Sequence, residues 1–176
     1  MPFTPLHFGP GLALKSVTGK WFSFTLFCFV QVLIDLESGV QMLRGAEPIH
    51  GFLHTYAGAT LAAVVALCAG RPACQWLLRL WNARLSPAQA RWLAVPPTIS
   101  WLAAATGTFA GAWSHVLLDS FMHADMRPLA PWREPNALLF LVHVDTLYLS
   151  CALAGVAGLS LFLWKRWRQL RSTPSI

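Results

Sequence analysis

Charge is what this sequence has least of: Asp, Glu, Lys and Arg together fill 11% of its 176 positions, where a soluble domain carries roughly 25%. Hydrophobic residues fill 56% and the mean hydropathy is +0.51. Those values exclude a soluble monomer and a disordered chain. The net charge of +6 reflects 7 acids against 13 bases, a shortage of acids rather than a basic patch, so nucleic acid is not an expected partner. Cysteine offers no framework either. Cys28, Cys68, Cys74 and Cys151 form no CxxC pair and no zinc-finger spacing, and three of them fall in or at the end of apolar runs, as small apolar side chains do. A clean signal peptide is missing, because Pro2, Pro5, Pro10 and Gly11 interrupt the N-terminus before an apolar core can form. Repeats and low-complexity segments are absent.

What is present suits one all-α domain in a membrane. Nine tryptophans fit a polytopic protein with aromatic anchors at the interface. Four stretches approach the ~20 apolar residues that a spanning helix needs: Trp21 to Leu36, His50 to Gly70, Ile99 to about Met122, and Asn136 to Trp164. Arg71 to Arg91 is shorter and carries Arg79 and Arg84, the pattern of an amphipathic interfacial helix. The tail after Arg171 is expected to fray. The first segment admits two readings. Either it simply spans and His7 lies on the side of the N-terminus, or His7 to Thr18 descends and Trp21 to Asp35 returns. The second, a hairpin with Lys15, Gly19 and Lys20 at its tip, is favoured because it sets His7 level with Asp35.

Sorting the charges along this topology separates them by sign. Lys15, Lys20, Arg71, Arg79, Arg84, Arg91, Lys165, Arg166, Arg168 and Arg171 fall on one side, and Arg44, Arg127 and Arg133 on the other. The positive-inside rule makes the first side cytoplasmic. All seven acids, Asp35, Glu37, Glu47, Asp119, Asp125, Glu134 and Asp145, then gather at the extracytoplasmic ends, with His50, His54, His115, His123 and His143.

The third segment ends in SHVLLDSFMHAD. His115, Asp119 and His123 recur every four residues and so share one helix face. Backwards, the same line reads Gly111, Gly107 and Ala103; in the second segment, His50 and His54 lead into Gly58, Ala62, Ala66 and Gly70. Small residues at this spacing let membrane helices approach closely, which aims the imidazoles into the bundle. A lone histidine at a helix end is usually an interfacial residue. A convergent set of imidazoles and carboxylates costs several kcal/mol in a membrane unless it is paired or put to use, and imidazole with carboxylate is the ligand set of zinc, with manganese or iron also accommodated. His50, His54, His115 and Asp119 are therefore the leading ligands, followed by Asp35, His7 and His123, for one to three divalent ions. Glu37 and Asp125 are candidates for catalytic acid or base. Of His143 and Asp145, two apart on a helix, at most one can face the site. Arg44 and Arg127 are ordinary loop charges or, functionally, binders of an anionic substrate group.

The order of these motifs resembles the YdjM-type inner-membrane metal-dependent hydrolase family, related to zinc-dependent phospholipase C and the single-strand-specific zinc nucleases. The matching pieces are His7, Leu33-Ile34-Asp35-Leu36-Glu37, His50-Gly51-Phe52-Leu53-His54-Thr55, Ser114-His115-Val116-Leu117-Leu118-Asp119 and the prolines at 128 and 131. They span roughly residues 5 to 132. The chain departs from the family pattern at Glu37-Ser38, where the family has Asp-His, and at Gly51, where it has Arg. The resemblance implies a hydrolase in a bacterial inner membrane, acting on a phosphoester of a lipid or lipid-linked substrate and in contact with membrane lipids. The rival expectation is a non-catalytic metal site in a sensor, a structural site or a degenerate family member.

Overall fold

The computed structural model describes residues 5–172. Every regular element among them is helical. A 3₁₀ turn at Pro5–His7 leads into α1 (Phe8–Thr18), and a second turn at Gly19–Trp21 reverses the chain into α2 (Phe24–Arg44). A third 3₁₀ turn, Phe52–His54, precedes α3 (Tyr56–Val65), which continues through a π segment (Ala66–Gly70) into α4 (Arg71–Arg84). Then come α5 (Pro87–Leu93), α6 (Trp101–Met122) and α7 (Val144–Ser172). The last residues of the tail expected to fray lie outside the described residues.

Three helices are long and apolar enough to cross a membrane: α2, the 29-residue rod formed by α3 and α4, and α7. The fourth predicted span is present as α6 with nearly the predicted limits, but its polar C-terminal half keeps it out of that group. Other boundaries differ for physical reasons. Helix α2 runs eight residues past Leu36, because polar residues there end the apolar run without ending the helix. It stops at Gly45, whose φ of 60° lets its N–H close on Gln41 and Met42. The interfacial helix predicted from Arg71 is continuous with α3: Pro72 would press its ring on the carbonyl of Cys68, and the π turn opens the ladder there. The last span starts at Val144, since residues 123–143 are used as a loop. Its Asn136 amide donates to the Ser120 carbonyl at 2.8 Å and the Phe140 N–H to that of Phe121 at 3.0 Å, satisfying carbonyls that the end of α6 leaves open.

The favoured hairpin of the first segment is the one observed. Lys15 caps its tip by donating to the carbonyls of Gly19 and Phe22, each at 2.8 Å. Serines start the two helices at that end: Ser23 accepts from Leu26 N–H and Ser100 from Ala103 N–H. Helices α2 and α6 run parallel at close range. A Cβ on Gly107 would collide with the Ser23 carbonyl, and one on Gly111 would stand 2.7 Å from that of Phe27. Around this seam Leu26, Phe27, Val30, Ile34, Ala104, Ala112 and Val116 are fully buried. Helices α1 and α7, also parallel, meet through Gly9, Gly155 and Gly158. The rods α1, α3–α4 and α7 thus run toward the basic end, and α2 and α6 run back toward the acids.

Candidate metal centre

Helices α2 and α6 carry their polar residues to the same level because the glycine seam fixes their register. On α2, Gln31, Asp35 and Ser38 recur at i, i+4 and i+7 on the inward face and are all buried. On α6, His115 and Asp119 do the same one helix away. His54 arrives from the 3₁₀ turn before α3, and His7 from the turn before α1. Both are almost fully buried.

Asp35, His54, His115 and Asp119 converge so closely that one ligand atom from each lies within 4.8 Å of all the others. His115 Nε2 is 3.2 Å from Asp35 Oδ1 and 3.1 Å from Asp119 Oδ2. His54 Nε2 is 3.7 Å from Asp35 Oδ1, 3.8 Å from Asp119 Oδ2 and 3.4 Å from His115 Nε2. Ligand atoms ~2.0–2.1 Å from a tetrahedral zinc ion stand about 3.3 Å from one another, so these separations fit one ion with N₂O₂ ligation. The other Asp119 oxygen, Oδ1, faces His7 Nε2 at 3.8 Å and His123 Nε2 at 3.9 Å. A second group, His50, His123 and Asp125, also meets the 4.8 Å limit. Its His50 ring stacks on His123 at 4.2 Å and meets His54 edge-on at 4.8 Å.

Buried ring nitrogens here lack hydrogen bonds. Neither nitrogen of His7 makes one, and burying such a group unpaired costs ~1–3 kcal/mol; Nδ1 of His54 and of His115, on the ring edge away from the cluster, make none either. Burial pushes the His7 imidazole down to about 4, despite the nearby Asp119 and Asp35, so it is neutral at pH 7 and its lone pair is free to bind a cation. Burial would lower His54 too, but the Asp35 and Glu37 carboxylates outweigh it and hold His54 at about 9.

The two predicted acid–base residues stand behind imidazoles. Asp125 Oδ1 lies 2.7 Å from His50 Nδ1, while its Oδ2 accepts the N–H groups of Ile49 and His50, both at 3.0 Å. Glu37 Oε2 accepts the Leu53 N–H at 2.7 Å and lies 3.6 Å from His54 Nδ1. Carboxylates in this position orient metal-binding imidazoles and fix their tautomers. Gly51 lies against the Glu37 carboxylate: a Cβ on residue 51 would stand 2.7 Å from Glu37 Oε1.

The remaining predicted residues are apart from the cluster. Arg44, exposed at the end of α2, lies nine residues beyond Asp35, about 13 Å along the helix. Arg127 is exposed and pairs with Glu134 at 3.1 Å. His143 and Asp145 pair with each other at 3.6 Å, both largely exposed, so neither enters the site. Sequence reasoning missed two buried polar residues on the face of Asp35, one of which touches the cluster. Ser38, fully buried, sets its hydroxyl 3.3 Å from His54 Nε2, and Gln31 is buried with its amide unpartnered. Their spacing from Asp35 was the available signal. No known protein family, curated protein or solved structure matches this chain, so the reading of the site rests on its own geometry.

Proposed function

We propose that the protein is a membrane-bound metal-dependent hydrolase that cleaves a phosphoester of a lipid or lipid-linked substrate. One observation carries the reading: four buried ligand atoms within 4.8 Å of one another, with Asp119 turning its second oxygen to His7 and His123. Asp35, His54, His115 and Asp119 hold a divalent ion, most simply zinc, and His7, His123 and His50 offer nitrogens for a neighbouring one. Such ions supply Lewis acidity that brings the pKa of water toward ~7 and offsets charge on phosphoryl oxygens. Glu37 and Asp125 orient His54 and His50. His123 is the most exposed imidazole of the cluster at 20% and so marks the side from which water and substrate would reach it.

Substrate class follows from the surroundings. Leu36, beside Asp35, and Phe52, between His50 and His54, are more than half exposed, as are Phe140 and Leu141 in the loop after α6. Apolar side chains at a membrane surface favour a substrate that stays in the bilayer. By the positive-inside rule the site faces the extracytoplasmic side of a bacterial inner membrane. Transport is disfavoured, because the acids and site histidines are confined to one end of the helices.

Metal analysis of the purified protein, combined with turnover of bis-(p-nitrophenyl) phosphate in detergent, tests this reading. Stoichiometric zinc, manganese or iron is expected, lost together with hydrolysis in His115→Ala and Asp119→Ala. Protein without bound metal would sink the proposal. Metal without turnover supports the second reading, a structural or sensory site, which the engagement of Glu37 and Asp125 with imidazoles favours.

A further inference from the structure

The basic end of the bundle holds a cavity that the metal reading does not use. It has a volume of about 410 Å³, within the ~300–1,000 Å³ range of small-molecule sites. Phe22, Phe24, Leu78, Trp81, Trp92 and Phe162 give it chiefly apolar walls. Its polar lining is Lys15, Lys20 and hydroxyls, among them the Ser23 and Ser100 caps that begin α2 and α6, and no acid borders it. The walls are held in place by polar ties from α4. Arg71 Nε donates to the Ile99 carbonyl at 2.8 Å, the Gln75 side chain accepts the Ile99 N–H at 2.9 Å, and Asn82 both donates to and accepts from the Val95 backbone. Trp81 Nε1 donates to the Leu93 carbonyl at 3.1 Å. From Ser23 to Asp35 is twelve residues of α2, about 18 Å, so the cavity and the metal cluster are separate sites.

An apolar chamber with ammonium groups and no carboxylate among its lining suits a molecule with one long apolar part and one anionic head. We infer that this cavity binds a single anionic phospholipid, one of its acyl chains lying against Phe22, Phe24, Trp81 and Phe162, the other left in the bilayer, and its phosphate beside Lys20 and Lys15. Lys15 spends two donors on the hairpin tip and has a third left for the phosphate. Lys20 lines the cavity, is exposed to solvent and stands over the Trp21 ring at 4.9 Å. The ten bases gathered at this end raise the local concentration of anionic head groups.

The test is native mass spectrometry of the full chain in dodecyl maltoside, offered phosphatidylglycerol, phosphatidylcholine of the same acyl chains, or oleate. One retained phosphatidylglycerol is expected under activation that strips phosphatidylcholine. Lys20→Glu and Thr25→Trp, both at residues that line the cavity, should each lower the retained fraction about five-fold or more, with unchanged circular dichroism. Equal retention of the two phospholipids, or retention unaltered in both variants, would mean annular lipid only and overturn the inference. So would preferential retention of oleate, which would make the occupant a fatty acid.

Discussion

Asp119 divides its oxygens between two groups of imidazoles, Oδ2 toward His115 and His54 and Oδ1 toward His7 and His123. Asp119→Asn preserves its shape and removes its charge, so it should abolish tight metal binding while leaving the helices intact, as read by metal content beside circular dichroism. Glu37→Gln tests a subtler role. It removes no ligand, but weakens the hold on the His54 ring, and affinity should fall roughly 10- to 100-fold, measured by chelator competition. The sign of the pH dependence follows from His54. Its value in the folded, metal-free protein, about 9, lies above the ordinary 6.5. Protonated His54 therefore stabilises the metal-free fold fully below 6.5, and that contribution is lost as pH rises through about 9. A metal ion must displace this proton. Uptake near pH 7.5 should release about one proton from His54, and affinity should rise about tenfold per pH unit up to about 9. Calorimetry in two buffers of different protonation enthalpy counts the protons; none released would contradict this role for His54.

Among the elements, the glycines separate two physical roles. Gly107 and Gly111 let backbones touch, so Gly111→Val should cost about 1–3 kcal/mol or more through overpacking. A Cβ on Gly39 in α2 would meet nothing within 4 Å beyond its own helix, and Gly39→Ala should stabilise the helix by up to ~1 kcal/mol. Thermal unfolding in detergent compares them directly. The same elements show what the sequence made legible. Helix α6 was readable almost to the residue, because Pro96-Pro97 and a capping serine mark its start and small residues mark its buried face. The ligand pair His50 and His54 was identified for a reason the structure replaces. Four-residue spacing suggested one helix face, whereas Gly51 and the Thr55 cap place both histidines before α3, and their rings meet through a 3₁₀ turn. His123 likewise caps α6 in an extended conformation, φ −116° and ψ 124°, instead of extending its face. The contacts of Glu37 with His54 and of Asp125 with His50 were beyond reach, since each joins distant segments that no local period encodes.

At the scale of the whole molecule, charge and topology agree: the acids crowd one end, ten of the thirteen bases the other, and the two candidate sites occupy opposite ends. Helix α1 is too short to hold its own place and has its most extensive packing against α7, at the far end of the chain. A chain ending at residue 143 should keep the four-ligand cluster of Asp35, His54, His115 and Asp119, yet hold less metal per protein than the full chain because His7 is less firmly placed. Metal-to-protein ratios of the two chains would show it, and equal ratios would count against His7 as a ligand. The crossing of Gly9 with Gly155 therefore also has a meaning in time. Synthesis delivers α1 well before the helix it packs on, so during biogenesis the candidate metal centre lacks a firmly placed His7 until α7 has been made.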